Sequence, residues 1–62
     1  MQVEIIFKNS GEAAMFEVDF HYEHEGFFKL QFPNGVIRGF PMCNIHSIAY
    51  RHGEHLGTRR VK

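Results

Sequence analysis

The stretch Ala14-Met15-Phe16-Glu17-Val18-Asp19-Phe20-His21-Tyr22-Glu23 decides the fold. Ala14, Phe16, Val18, Phe20 and Tyr22 alternate with Met15, Glu17, Asp19, His21 and Glu23. Side chains on a strand point to opposite faces with period two, so this is an apolar face backed by an acidic one. A helix would scatter the same apolar residues around its circumference. The stretch therefore predicts one long half-buried strand, and with it an all-β chain.

Working outward, the same period recurs on both sides. Val3, Ile5 and Phe7 alternate with polar neighbours, with Ile6 as the exception, and Asn9-Ser10-Gly11-Glu12 is a turn cluster. Beyond the central stretch, Glu23-His24-Glu25-Gly26 reads as a turn and Phe27 to Phe32 as a third strand, with Phe28, Leu30 and Phe32 on one face. Pro33-Asn34-Gly35 then leads into a fourth strand, Val36 to Phe40. If Asn34-Gly35 were a two-residue loop, Pro33 would sit where a ladder amide is needed, and proline has none. A type I turn centred on Pro33-Asn34, with Gly35 as a left-handed bulge, suits each residue better. That register sets Phe32 opposite Val36, Leu30 opposite Arg38 and Phe28 opposite Phe40, with Ile37 facing away. Pro41-Met42-Cys43-Asn44 predicts a single helical turn, and Ile45 to Tyr50 a fifth strand with Ile48 and Tyr50 on one face. From Arg51 onward there is no period. The expected organisation is a small β-barrel domain over residues 1–51 and a flexible basic tail over 52–62.

The segment Gly39-Phe40-Pro41-Met42-Cys43-Asn44-Ile45 resembles the Gly-aromatic-Pro lead into the last strand of SH3 domains. The resemblance implies a five-stranded SH3-like barrel, or a strongly bent antiparallel meander, with one helical turn before the last strand. The chain lacks the tyrosine-rich motif and the tryptophan pair of SH3 domains, so no proline-rich peptide groove is carried over. Phe32-Pro33-Asn34-Gly35 followed by Phe40-Pro41 and Asn44-Ile45 is also similar to small uncharacterised proteins of bacteria and their phages, which implies that setting.

Bulk quantities bound the rest. At 62 residues there is one domain at most, and Cys43 is the single cysteine, so no disulfide forms within the chain. Seven Phe and two Tyr must supply most of a thin core, which leaves a homo-oligomer as an open alternative. The start Met1-Gln2-Val3-Glu4 has no basic-then-apolar signal, and no uncharged run approaches the ~18 residues of a membrane span. A cytoplasmic protein without membrane contact is the expectation.

Five histidines invite a metal reading: His21 with His24, His52 with His55, and Cys43 with His46 are each three apart. One cysteine and histidines in turns fall short of a structural zinc set, so no metal and no cofactor is expected. Ser10, Ser47 and Cys43 lack the partners of a nucleophile, and no catalytic residue is assigned.

Zero net charge conceals a split: residues 1–26 sum to −5 and residues 27–62 to +5. The acidic part suggests a protein-binding face made of Glu17, Asp19, His21, Glu23 and Glu25. The chain then reads as a non-catalytic interaction module, such as a small phage- or bacterium-encoded modulator or inhibitor that meets a basic host protein. The alternative is a nucleic-acid-binding barrel using Arg51, Arg59, Arg60 and Lys62, with Phe27, Phe40 or Tyr50 as stacking platforms. The same cations could instead contact the acidic face of another copy.

Overall fold

The computed structural model describes residues 1–61. The chain is all-β, with seven strands: β1 (Gln2–Phe7), β2 (Ala13–Glu17), β3 (Phe20–His24), β4 (Phe27–Gln31), β5 (Ile37–Pro41), β6 (Ile45–His52) and β7 (His55–Arg60). A 3₁₀ turn, Met42–Asn44, precedes β6 where a helical turn was expected. The strands form two antiparallel sheets, ordered β2-β1-β6-β7 and β3-β4-β5. Val3, Ile5, Val18, Phe28, Leu30, Ile45 and Ile48 are buried between them. Among the described residues, no helix is long and apolar enough to cross a membrane.

The stretch expected as one strand is two. Val18 N–H donates to the carbonyl of Met1 at 2.8 Å, which ties it to the first sheet. The next amide, Asp19 N–H, donates to the carbonyl of Gln31 at 2.8 Å, which ties it to the second. The chain changes sheets between these two amides, and the change inverts the side-chain phase. Phe16 lies opposite Val3 and Ala14 opposite Ile5, both facing the core. Past the corner, His21 lies opposite Leu30 and Glu23 opposite Phe28, so these two face inward. Phe20 and Tyr22 are turned outward. Sheets that wrap a small core bend in this way at corners where a strand passes from one sheet to the other.

The hairpin after β4 has the register that Pro33 and Gly35 favour. Phe28 stands opposite Phe40 and Leu30 opposite Arg38. Phe32 N–H donates to the Val36 carbonyl at 2.8 Å, and Gly35 N–H to the Phe32 carbonyl at 2.9 Å. Gly35 has φ +87°, the left-handed value that a side chain resists. Arg38 closes the seam between β2 and β5, its guanidinium carbon 5.8 Å from the Phe16 ring centroid and 5.3 Å from that of Phe40. Phe7 and Phe16 each pack 5.6 Å from Phe40, so aromatic rings fill this seam.

Two expectations need correction. The segment over 52–62, expected as a flexible tail, contains β7, which pairs with β6 from His52 opposite His55 to Ser47 opposite Arg60. An edge strand largely exposed on both faces needs no apolar alternation, because main-chain pairing supplies most of its order. Gly57 lies beneath the Tyr50 ring, where a Cβ would stand 2.2 Å from Cζ. Second, the strand count rises from five to seven, and the hydrogen bonding leaves two sheets rather than one closed barrel. Lys62, grouped with the basic tail, lies outside the described residues.

Candidate functional site

The outer face of β3-β4-β5 carries three exposed large apolar residues, Phe20, Phe27 and Ile37. Strand parity places Phe20 and Tyr22 of β3, Phe27 and Lys29 of β4, and Ile37 of β5 on this side, because their neighbours Leu30 and Phe28 point into the core. Phe20 is 54% exposed, Ile37 52% and Phe27 41%. Phe20 and Tyr22 stack with ring centroids 5.8 Å apart and planes 29° apart. The Lys29 stem crosses Gly39, where a Cβ would stand 3.2 Å from Lys29 Cδ, and its ammonium sits 5.6 Å from the Phe27 centroid. Asp19 at the sheet-switching corner and Glu25 in the β3–β4 turn, both exposed, flank the outer face.

A second feature is the cleft between the edge strands β3 and β7, about 300 Å³ in volume. Phe28 and Ile48 form its floor. The His21 ring packs 5.5 Å from Phe28 and 5.4 Å from Tyr50. Partial burial between these rings lowers the His21 pKa below its ordinary 6.5. Glu23 reaches across the cleft to an ion pair with Arg59. Both partners are partly exposed, so this pair is a modest clasp between the sheets.

The five residues expected to form one acidic face are divided. Glu17 is on the outer face of β2, its carboxylate 3.4 Å from the Met1 amino group. Asp19 is at the corner, His21 and Glu23 line the cleft, and Glu25 is in a turn, its carboxylate 3.6 Å from His24 Nε2. The basic residues are divided too: Arg51 and Arg60 lie on the outer face of the first sheet, and Arg59 turns inward to Glu23. Of the expected stacking platforms, Phe27 is on the outer face, Tyr50 borders the cleft and Phe40 is inside. Among the described residues, no three of His, Cys, Asp and Glu converge as a metal set would. Phe20 and Tyr22, on the edge strand of this outer face, were expected in the core. Only the hairpin register, which turned Ile37 outward, pointed to this surface beforehand.

Comparison with protein-family models, with curated proteins and with solved structures finds no match to this chain.

Proposed function

We propose that this chain is a non-catalytic protein-interaction module that binds through the outer face of β3-β4-β5. The observation that carries the reading is the joint exposure of Phe20, Phe27 and Ile37 on one small sheet face. Large apolar side chains gathered on one exposed face, here with Gln31 between Phe20 and Ile37, cost solubility and suggest a binding site. Aromatic side chains give large contact area with few rotatable bonds, which suits the centre of an interface. Asp19 and Glu25 would orient a partner whose rim is basic. The expected acidic contact thus becomes a border around an apolar centre. The 3₁₀ turn leading into the long strand β6 supports an SH3-like reading of that part of the chain, with β7 added after it; the small bacterial or phage modulator rests on the resemblance over residues 32–35 and 40–45 alone.

Affinity capture from an extract of the source cell tests the proposal. The wild-type chain should retain a protein that Phe20→Asp and Ile37→Asp lose while remaining folded by circular dichroism. Equal retention by both variants would sink it.

Nucleic-acid binding ranks second. A single-strand binder needs cations and stacking rings along one groove. Here the exposed rings share their face with Lys29, whereas Arg51 and Arg60 lie on the other sheet. Oligonucleotide retention on a filter at low salt, lost steeply on adding salt, would raise this reading above the first.

A further inference from the structure

Part of the charge split of the sequence lies on one surface. The outer face of β2-β1-β6-β7 consists of three cross-strand rows: Glu17-Gln2-Arg51-Leu56, Met15-Glu4-Ala49-Thr58 and Ala13-Ile6-Ser47-Arg60. Both acids, Glu4 and Glu17, lie on the β2-β1 half. Both cations, Arg51 and Arg60, lie on the β6-β7 half. Glu4, Arg51 and Arg60 make no ion pair among the described residues, and Glu17 has only the Met1 amino group at 3.4 Å. Between the two halves runs a shallow groove of about 380 Å³, bordered by Met15 and Leu56. These are the two most exposed large apolar residues described, at 60% and 70%.

We propose that two copies of this chain pair through this face, about a two-fold axis parallel to the strands. The charges select the axis. Two identical sheets stacked face to face can be related by a two-fold axis along the strands or across them. An axis across the strands keeps the strand order and sets β2 over β2, bringing acid over acid. An axis along the strands reverses the order and sets the β2-β1 half of each copy over the β6-β7 half of the other. Glu4 then lies one row from the second copy's Arg51 and Glu17 one strand from it, twice over, while Arg60 lies over Ala13. Met15 and Leu56 are covered by the opposite copy, with Met15 over Thr58 and Glu17 beside Leu56. The zero net charge of the chain leaves no overall repulsion against pairing. The surface is distinct from the outer face of β3-β4-β5, so the two proposals stand or fall separately.

Sedimentation equilibrium of the full chain, from micromolar to millimolar concentration, tests the pairing. The expected result is a rise from 7.3 kDa toward twice that mass. The rise should be stronger at about 20 mM than at about 500 mM salt, because higher salt screens exposed charge pairs. Arg51→Glu and Glu4→Arg should each weaken self-association about tenfold, since each sets like charges against each other across the interface. Combined in one chain, the two substitutions restore opposite charges across the two-fold axis and should recover the affinity. A chain that stays monomeric at millimolar concentration and low salt would overturn the proposal. So would a dimer indifferent to Arg51→Glu, or one broken by Phe20→Asp and not by Leu56→Asp.

Discussion

Replacing Phe20 with alanine, beside the same change at Phe28, separates this fold from the single-strand reading of residues 14–23. In that reading both rings belong to the core and both losses should be severe. In the structure Phe28 is 3% exposed and forms the floor of the β3–β7 cleft. Removing a buried Phe ring costs about 3–5 kcal/mol once the cavity is counted. The whole stability of a chain this length is ~3–9 kcal/mol. Phe28→Ala should therefore remove at least about a third of that stability, and unfold the chain outright at the low end of the range. Phe20 is different. A Phe side chain presents ~200 Å², and with just over half of Phe20 exposed, ~90 Å² has left water, which is worth ~2 kcal/mol at ~25 cal/mol per Å². Alanine keeps part of that burial and leaves no cavity, so the loss is about 1–1.5 kcal/mol, including the stack on Tyr22. Urea unfolding followed by far-ultraviolet circular dichroism measures both, since the chain has no tryptophan to report. With a slope of ~1 kcal/mol per M, Phe20→Ala should lower the midpoint by ~1 M and leave a cooperative transition. If Phe20→Ala destabilises the chain as much as Phe28→Ala does, the inverted phase after Asp19 is wrong.

Three further outcomes follow from single contacts. Gly57→Ala places a methyl against the Tyr50 ring and should cost about 1 kcal/mol, because the ring must leave its cross-strand position; loss of the upfield Gly57 α-proton shift would mark the displacement, and a neutral or stabilised variant would refute the contact. Gly35→Ala forces a side chain into φ +87° and should cost about 1–2 kcal/mol; an unchanged urea midpoint would refute the bulged turn. The lowered pKa of His21 means that the unfolded chain takes up this proton first. Its contribution to stability is then complete above pH 6.5, falls as pH drops through the lowered folded value, and levels off below it. His21→Phe should flatten that slope while Glu23 and Arg59 remain paired, and an unchanged slope in the variant would place the histidine in solvent.

Local chemistry made much of the fold legible. The missing amide of Pro33 and the left-handed demand at Gly35 left one comfortable hairpin register, and it sets Arg38 beside Leu30 as expected. Pro41 and Asn44 bracketed the 3₁₀ turn. The corner at Val18-Asp19 was hidden because the stretch keeps perfect alternation through it: Phe20 and Tyr22 continue the apolar set while changing sides. Nothing in the composition of residues 14–23 distinguishes a straight strand from one that changes sheets. β7 was hidden for another reason. Its pairing is a main-chain matter, and its residues alternate in neither polarity nor burial. The exposed outer face of β3-β4-β5 went unread as a consequence of the first miss, because Phe20 was assigned to the core. The charge split was visible in the sequence, but the arrangement of part of it as two halves of one sheet face needed the strand order β2-β1-β6-β7.

The chain changes sheets between Val18 and Asp19, which turns Phe20 and Tyr22 out and His21 in. Nuclear Overhauser contacts from the side-chain ring protons of residues 20 and 21 test it most directly. The expected pattern is His21 ring protons close to the Phe28 and Tyr50 rings, with the Phe20 ring seeing Tyr22 and no buried residue of β4. Contacts from the Phe20 ring to Phe28 or Leu30, with His21 seeing none, would contradict it.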